Sequence, residues 1–400
     1  MSPPNLETQP ESEFTCRPSA VTAGVTKVNN NETVKFERDY IPPNFTIKEI
    51  RAAIPPHCFE RNALKSASYI AKDLAVIAIL VYAATFIDTY LPTLLRYVAW
   101  LTYWFFCGAF ATGVWVLAHE CGHQAFSTSS TLNNTVGFIL HTALLVPYHA
   151  WRITHSKHHK HTSLMNKDQV FVPKTRSEVG KKIKHRADFK DAPIITLLNL
   201  IGQQLLGWPL YLTLNYSGQT YDKEIWANHF NPASPFFDSK NYYEIVMSNV
   251  GIIVALSTIS YFVYTYSFII VVKYYLIPYL IVNHWLVLIT YLQHTDPKIP
   301  HYREGQWDFI RGAACTVDRH MGFLDAIFHR ITSTHVAHHY FSTMPHYHAE
   351  EATKHLSKVL GSYYLFDDTP IFKALWRSYN ECHYIEDDGD VIFYKSLASK

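Results

Sequence analysis

The chain has 400 residues, of which 17% are charged and 15% aromatic, and its formal net charge is +2. The charged fraction lies below the roughly 25% of soluble domains, which argues against an ordinary soluble protein. The near-neutral charge gives no indication of nucleic-acid binding, and six scattered cysteines without a CxxC pair indicate neither a disulfide framework nor a zinc ribbon.

The N-terminal part of the chain is polar and has little hydrophobic periodicity, which is typical of a disordered segment. Because no apolar run lies near its start, we expect no cleaved signal peptide. Thr46 and Glu49 then form a capping-box pattern that opens a short helix over 47–54, and Pro55 and Pro56 end it. We expect three regions: a disordered N-terminal tail at 1–42, a membrane-bound domain at 43–380 and a C-terminal tail at 381–400.

Long apolar runs predict membrane-spanning helices, because a bilayer span needs about 20 mostly apolar residues. Residues 71–91 and 98–118 predict one helical hairpin. Residues 245–292, with Lys273 as their single charge, are long enough for a second hairpin. The run 136–146 is too short to cross and predicts a re-entrant or interfacial helix.

Three histidine clusters stand out among the 23 histidines of the chain, in the sequences HECGH, HSKHH and HVAHH. Residues three and four apart share a helix face, so each cluster can direct its imidazoles to a single point. A further histidine follows the last apolar run directly. The candidate metal ligands are His119, His123, His155, His158, His159, His335, His338 and His339, with His294 as a ninth.

The first cluster also matches the H-E-x-x-H pattern of zinc proteases, in which the glutamate is the general base. An intramembrane protease would leave the other clusters unused, since catalytic zinc usually has three protein ligands. Eight imidazoles suit two metal ions instead, and imidazole binds Fe, Zn, Cu and Ni. We therefore expect Glu120 to orient a ligand imidazole. A histidine-rich metal transporter or sensor is disfavoured, because the clusters lie outside the apolar cores.

The predicted topology follows from the position of the clusters. To share one site, all three must face one compartment, so an even number of crossings separates His159 from His335. Residues 193–214 are apolar but contain Gly, Gln and Pro, which weaken a helix in lipid, and we place this run in the interface. Eleven Lys or Arg in 151–190 mark the cluster side as cytosolic. The sequence predicts an all-α polytopic membrane protein with four transmembrane helices in two hairpins, interfacial helices and a cytosolic cap that carries the histidine boxes.

The chain resembles the membrane-bound fatty acid desaturases, which combine HxxxH, HxxHH and HxxHH boxes with apolar hairpins. The resemblance extends over about residues 40–380 and is closest to the delta-12 (oleate) desaturases of fungi. Omega-3 desaturases and oleate 12-hydroxylases have nearly the same boxes and stay as alternatives. The segments that carry the resemblance are AIPPHCFER (53–61), GVWVLAHECGHQAFS (113–127), HSKHHKHTSLMNKDQVFVP (155–173), VNHWLVLITYLQHTDP (282–297) and THVAHHYFSTMPHYHAEEA (334–352).

The resemblance implies a multi-pass enzyme of the endoplasmic reticulum membrane whose active site faces the cytosol. It would use O₂ and two Fe ions, held by the nine histidines, to convert an oleoyl chain on a lipid or on CoA to a linoleoyl chain. Unactivated methylene groups have no acidic proton, so a redox metal with O₂ is the chemistry required. Without a His-Pro-Gly-Gly heme motif in the chain, electrons are expected from a separate cytochrome b5 and NADH-cytochrome b5 reductase. The resemblance also allows a homo-oligomer.

Overall fold

The structure, a computed structural model, describes residues 40–180, 192–221 and 226–397. The described chain is mostly helical, with a pair of two-residue strands in which β1 (His301–Tyr302) and β2 (Val391–Ile392) run antiparallel. The predicted N-terminal tail lies, up to residue 39, outside the described residues. The α-helices bounded within them are α1 Ile47–Ala52, α2 Ala63–Ala84, α3 Ile87–Tyr90, α4 Thr93–Gly122, α5 Ser130–Ala143, α6 Tyr148–His161, α7 Pro193–Leu214, α8 Tyr242–Tyr266, α9 Phe268–Val271, α10 Ile277–His294, α11 Phe309–Ala313, α12 Leu324–Ile327, α13 His335–Tyr340, α14 His346–Leu360 and α15 Ile371–Glu381.

Four helical segments within the described residues are long and apolar enough to cross a membrane: Ala63–Tyr90, Thr93–Gly122, Ser239–Tyr266 and Phe268–His294. They follow one another in two pairs, which confirms the predicted all-α membrane protein with four spans. Helix α7 has 22 residues but is not one of the four. Its interfacial position stays a prediction.

The loop ends of the two hairpins are joined by their isolated charges. Lys273 donates to Asp88 over 2.7 Å, and the Trp100 indole N–H donates to the other Asp88 oxygen over 3.0 Å. Lys273 lies in a π-helical turn, Val272–Leu276, between α9 and α10. The Trp104 indole N–H donates to the Lys273 carbonyl over 2.8 Å, so α4 satisfies a backbone group that the irregular turn leaves open.

Helix α4 is the centre of the packing, with α2, α5 and α10 against it. A glycine permits its close approach to α10. A Cβ atom added at Gly108 would lie 2.4 Å from Cγ2 of Ile281. This crossing brings the ends of α4 and α10, and the histidines there, to the same side of the bundle.

The first described helix begins as the sequence predicts. The Thr46 hydroxyl accepts from the Glu49 N–H over 3.2 Å, and the Glu49 carboxylate accepts from the Thr46 N–H over 2.7 Å. The helix ends at Ala52 rather than at Ile54, because the residue before a proline is disfavoured in the helical region. The capping box is therefore confirmed and the helix is two residues shorter than expected.

A buried hydrogen bond between two titratable side chains connects the membrane helices to the cap. The Asp73 carboxylate on α2 lies 2.6 Å from Nε2 of His329, which follows α12, and both side chains are buried. Gly113 on α4 packs against this pair, since an added Cβ would lie 2.9 Å from Asp73 Oδ2. The pair joins segments that are 256 residues apart in the chain.

Residues 382–397, in the segment expected as a C-terminal tail, pack on the cap. Strand β2 pairs with β1, and Val391, Ile392 and Phe393 are buried. The Arg303 N–H donates to the Asp390 carbonyl over 3.0 Å, next to the strand pair. The packed chain thus continues beyond residue 380.

Candidate metal centre

The structure brings all nine candidate histidines together in two adjoining groups. In the five-histidine group, His119 and His155 have their Nε2 atoms 2.9 Å apart, and Nε2 of His123 is 3.2 Å from that of His119. Each residue of this group can offer one ring nitrogen such that all five lie within 4.8 Å of one another. Its members are His119, His123, His155, His159 and His338.

The four-histidine group contains His158, His294, His335 and His339. Nε2 of His335 lies 3.1 Å from Nε2 of His294 and 3.1 Å from Nε2 of His339. His158, His294 and His339 can place one ring nitrogen each within 4.8 Å of the others. The groups adjoin where the rings of His159 and His339 stack, with centroids 4.1 Å apart.

The two HxxHH boxes divide between the groups, which corrects the expectation that each box directs its rings to a single point. On α6, His155 and His159 join the five-histidine group, while His158 joins the other. On α13, His338 joins the five-histidine group, while His335 and His339 lie in the other. Residues four apart share a helix face, but neighbouring residues are about 100° apart around it, so an HxxHH box serves two points at once.

The donor geometry fits metal ions. Ring nitrogens that bind one ion lie about 3 Å apart, because each lies about 2.1 Å from that ion, and the Nε2 separations above are of this size. Within the described part of the chain, Nε2 of His158 and Nε2 of His338 are buried without a hydrogen-bond partner. A buried polar atom without a partner is costly, and a bound metal would satisfy both.

Burial keeps the imidazoles in the neutral form that binds a metal. It lowers the pKa of His155, His335 and His338 well below the ordinary value, and the neighbouring histidines lower it further. These rings are therefore neutral near pH 7, and each keeps a nitrogen lone pair for a metal. The pKa of His123, His159 and His339 is lowered by the same causes.

A buried carboxylate orients a ring of the four-histidine group. Asp168 Oδ1 accepts a hydrogen bond from Nδ1 of His158 over 2.6 Å, while Oδ2 accepts one from the Ser163 N–H over 2.7 Å. The Nε2 lone pair of His158 is thereby directed toward His294 and His339. Ligand histidines typically hold such a carboxylate on their other nitrogen.

Glu120 lies behind the ligand rings rather than among the converging atoms. Its Oε1 is 3.7 Å from Nδ1 of His119 and 3.8 Å from Nδ1 of His338, and its Oε2 accepts the His346 N–H over 3.0 Å. The Nε2 atoms that converge belong to the opposite edges of those rings. A protease base would have to face the metal side, so this position disfavours the zinc protease interpretation of HECGH.

Asp318 and Arg319 support the site and were not predicted. Asp318 Oδ1 accepts the Val336 N–H over 2.9 Å at the start of α13. Arg319 donates to the Leu292 carbonyl over 3.1 Å and to Asp296 over 2.9 Å, at the end of α10. The sequence around both residues has no recognisable pattern. Asp168, in contrast, lies within the resemblance segment 155–173 and could have been found from it.

The other histidines near the boxes have separate environments. His346 lies 3.9 Å from Glu120, and His329 pairs with Asp73. His161 Nδ1 donates to the Lys157 carbonyl over 3.0 Å, and its ring is packed against Trp307 rather than in either group. The remaining three contact other partners: His149 near Glu244, His320 beside Asp325, and His348 beside His57.

Known proteins resemble the chain over nearly its whole length. A family model described as fatty acid desaturase matches residues 98–370, and one for a domain of unknown function, DUF3474, matches residues 8–84. The chain is 54% identical over 398 residues to a delta(12) fatty acid desaturase of Mortierella isabellina, covering 94% of this chain and 99% of that protein.

Plant proteins are also similar to the chain. Identity is 49% over 358 residues to a delta(12)-acyl-lipid-desaturase of Punica granatum, covering 88% of this chain and 91% of that protein. It is 46% over 362 residues to a protein of Glycine max named omega-6 fatty acid desaturase, endoplasmic reticulum isozyme 2, covering 90% and 92%. The family model alone covers more than half of the 400 residues.

Proposed function

Since the chain belongs to the fatty acid desaturase family, a family of oxidoreductases, we propose that it converts an oleoyl chain to a linoleoyl chain by delta-12 desaturation. One observation carries the proposal: nine imidazoles, eight of them buried, form two adjoining groups at the ends of membrane helices. The names of the fungal and plant relatives supply the position of the new double bond.

We propose iron as the metal, one ion in each histidine group. When bound, the two ions supply with O₂ the redox chemistry that breaks unactivated C–H bonds. The all-imidazole donor set is compatible with iron but does not by itself select it. For the four-histidine group, His158, His294, His335 and His339 would hold the metal, and the remaining five histidines would hold the other.

The surrounding side chains orient the ligand histidines and exclude water from them. Asp168 fixes His158 through Nδ1, and Glu120 lies behind His119 and His338. The Trp151 ring stacks on His155 with centroids 4.5 Å apart and is itself buried. An apolar wall of this kind excludes water and holds the ring in one rotamer.

The proposed setting is the endoplasmic reticulum membrane, with the histidine side facing the cytosol. The name of the Glycine max relative includes that compartment, and the basic stretch 151–190 favours the cytosolic side for the boxes. Residues 43–380 would form the membrane-bound domain, on whose cap residues 382–397 pack. Cytochrome b5 and its NADH-dependent reductase would supply electrons, and a fatty acyl lipid or acyl-CoA would be the substrate.

Expression in a yeast that makes only monounsaturated fatty acids tests the regiochemistry. Gas chromatography of its total fatty acids should reveal linoleate when the wild-type chain is present, and none with a His338→Ala variant. Trienes that form only when linoleate is fed would instead favour an omega-3 desaturase. Ricinoleate as the main product would favour a 12-hydroxylase.

A further inference from the structure

A second cluster of metal-binding side chains lies on the cap, separate from the nine histidines. It joins a 3₁₀ turn, Pro56–Phe59, to helix α14. His57 Nε2 is 2.9 Å from the Glu351 carboxylate and 3.8 Å from Sγ of Cys58, and the rings of His57 and His348 are 5.5 Å apart. One ligand atom from each of the four residues lies within 4.8 Å of every other.

Local structure explains why these four side chains meet. His348 and Glu351 are three residues apart on α14 and therefore share one face. The tight turn over Pro56–Phe59 places His57 and Cys58 opposite that face. Both pairs lie in segments that carry the resemblance to the desaturases, AIPPHCFER and the end of THVAHHYFSTMPHYHAEEA, and neither pair belongs to the histidine groups.

The donor set matches a borderline-soft divalent cation. Structural zinc takes four ligands from Cys, His and carboxylates in a tetrahedral arrangement, and the thiolate disfavours Mg²⁺ and Ca²⁺. A Cys58 thiolate and the Glu351 carboxylate carry two negative charges, which balance one divalent cation between two neutral imidazoles. Cys58 is fully buried, whereas His57 and Glu351 are half-exposed, so the cation has a path from solvent.

We propose that His57, Cys58, His348 and Glu351 form a structural binding site for one Zn²⁺ ion. Burial and the nearby Glu351 carboxylate raise the pKa of the Cys58 thiol to about 11. Binding displaces the thiol proton to solvent and replaces the hydrogen bond between His57 and Glu351 with two bonds to the metal. The ion ties the turn that precedes the first membrane helix to α14.

The proposed Zn²⁺ link between the turn and α14 lies close to the two histidine groups but is not part of them. Helix α14 begins at His346, whose N–H donates to Glu120 behind the ligand rings. Holding α14 against the Pro56–Phe59 turn therefore fixes the end of the helix that supports Glu120. The role is structural and does not depend on which fatty acid the enzyme uses.

Cobalt spectroscopy on the full-length, iron-loaded protein in detergent tests the proposal. Co²⁺ bound by a thiolate gives a charge-transfer band in the near ultraviolet, whereas the histidine groups contain no cysteine and give none. The wild-type protein should develop this band at one Co²⁺ per chain, and Zn²⁺ should abolish it by displacement. Absence of the band, or a band that Zn²⁺ leaves unchanged, would overturn the proposal.

Matched variants assign the band to these residues. Cys58→Ser should abolish it, while Cys382→Ser, a cysteine elsewhere on the cap, should keep it. His348→Gln should weaken cobalt binding by more than the roughly 10–100-fold that an outer partner of a ligand costs, whereas His355→Gln, on the same helix, should not.

Thermal unfolding gives a readout that does not depend on cobalt. Excess Zn²⁺ should raise the unfolding midpoint of the wild-type protein and of Cys382→Ser, but not of Cys58→Ser or Glu351→Gln. Iron content confirms that each variant is folded. If a folded Cys58→Ser variant keeps the band or the Zn²⁺-dependent stabilisation, the site does not lie at these four residues.

Discussion

The carboxylate of Asp168 accepts hydrogen bonds from two directions, and an amide cannot do the same. Oδ1 accepts from Nδ1 of His158 and Oδ2 from the Ser163 N–H. In Asp168→Asn the amide NH₂ must face one of these donors, so one of the two hydrogen bonds is lost, and any bond that His158 keeps is to a neutral group that holds the ring less firmly. We expect linoleate formation to fall about 10–100-fold, measured in membranes with equal protein, whereas Asp368→Asn at an exposed position should be neutral.

The division of the histidines into two groups predicts a specific metal content. Purified wild-type protein should contain about two iron ions per chain and little zinc, as two imidazole groups allow. His123→Ala and His335→Ala each remove a ligand from one group only. Each variant should lose activity and retain about one iron, measured by plasma mass spectrometry. A variant that keeps both irons and full activity would contradict the assignment of that histidine.

The close approach of α4 and α10 at Gly108 predicts that alanine substitutions at two glycines change the stability of the protein differently. A Cβ there would lie 2.4 Å from Ile281, whereas a Cβ at Gly202 on α7 meets nothing within 4 Å. Overpacking costs about 1–3 kcal/mol, so Gly108→Ala should lower the thermal midpoint of the detergent-solubilised protein. Gly202→Ala should leave it unchanged or raise it slightly. Equal midpoints for the two variants would mean that α4 and α10 do not pack this closely.

Helices with strong local signals are predictable from the sequence, and short ones held by distant contacts are not. The capping box of α1 and the four apolar spans each depend on residues that are close together in the sequence. Helix α13 has six residues and depends on Asp318, eighteen residues earlier, to accept the Val336 N–H. Spacing alone also cannot assign His158 and His159 to different groups, because that depends on where α10 and α13 meet α6.

The orientation of α7 decides the topology of the whole protein. If α7 lies in the interface, the loop after it is cytosolic, and Asn215 in the glycosylation sequence Asn-Tyr-Ser stays unmodified. A tag inserted near Ser239 should then be cleaved by protease added from the cytosolic side of microsomes. The loop 215–244 has only Lys223 and Lys240 as basic residues, which gives little support from the positive-inside rule.

The same test can also contradict the interfacial placement of α7. A glycan on Asn215, or a tag protected from protease, would mean that α7 crosses the bilayer. An even number of crossings between the second and third boxes would then require a different pairing of the last two spans. An insertion of a glycosylation sequence in the short loop between α2 and α4, near Leu91, serves as the positive control for a lumenal position.

At the scale of the whole molecule, composition and apolar runs predict the membrane class, and the histidine spacing predicts which residues meet. The sequence does not predict the connections that hold the cap on the bundle, because each joins residues far apart in the chain. The strand pair between 301–302 and 391–392 and the hydrogen bond between Asp73 and His329 are of this kind. Neither partner carries a local signal for the other.

The contact between Asp73 and His329 can form only late in synthesis, because the two residues lie far apart in the chain. A ribosome adds about 5–20 residues per second, so the 256 residues between the partners take roughly 10–50 seconds to make. Through that interval the first hairpin carries a carboxyl group without its partner, at a cost of up to about 2.5–3.5 kcal/mol in lipid. Until His329 emerges, a few residues ahead of the third histidine box, the neighbouring Lys72, whose Nζ lies 3.3 Å from Asp73 Oδ1, offsets part of this cost. The contact between Asp73 and His329 is therefore completed as the last metal ligands arrive, and a chain that stops short of His329 lacks both.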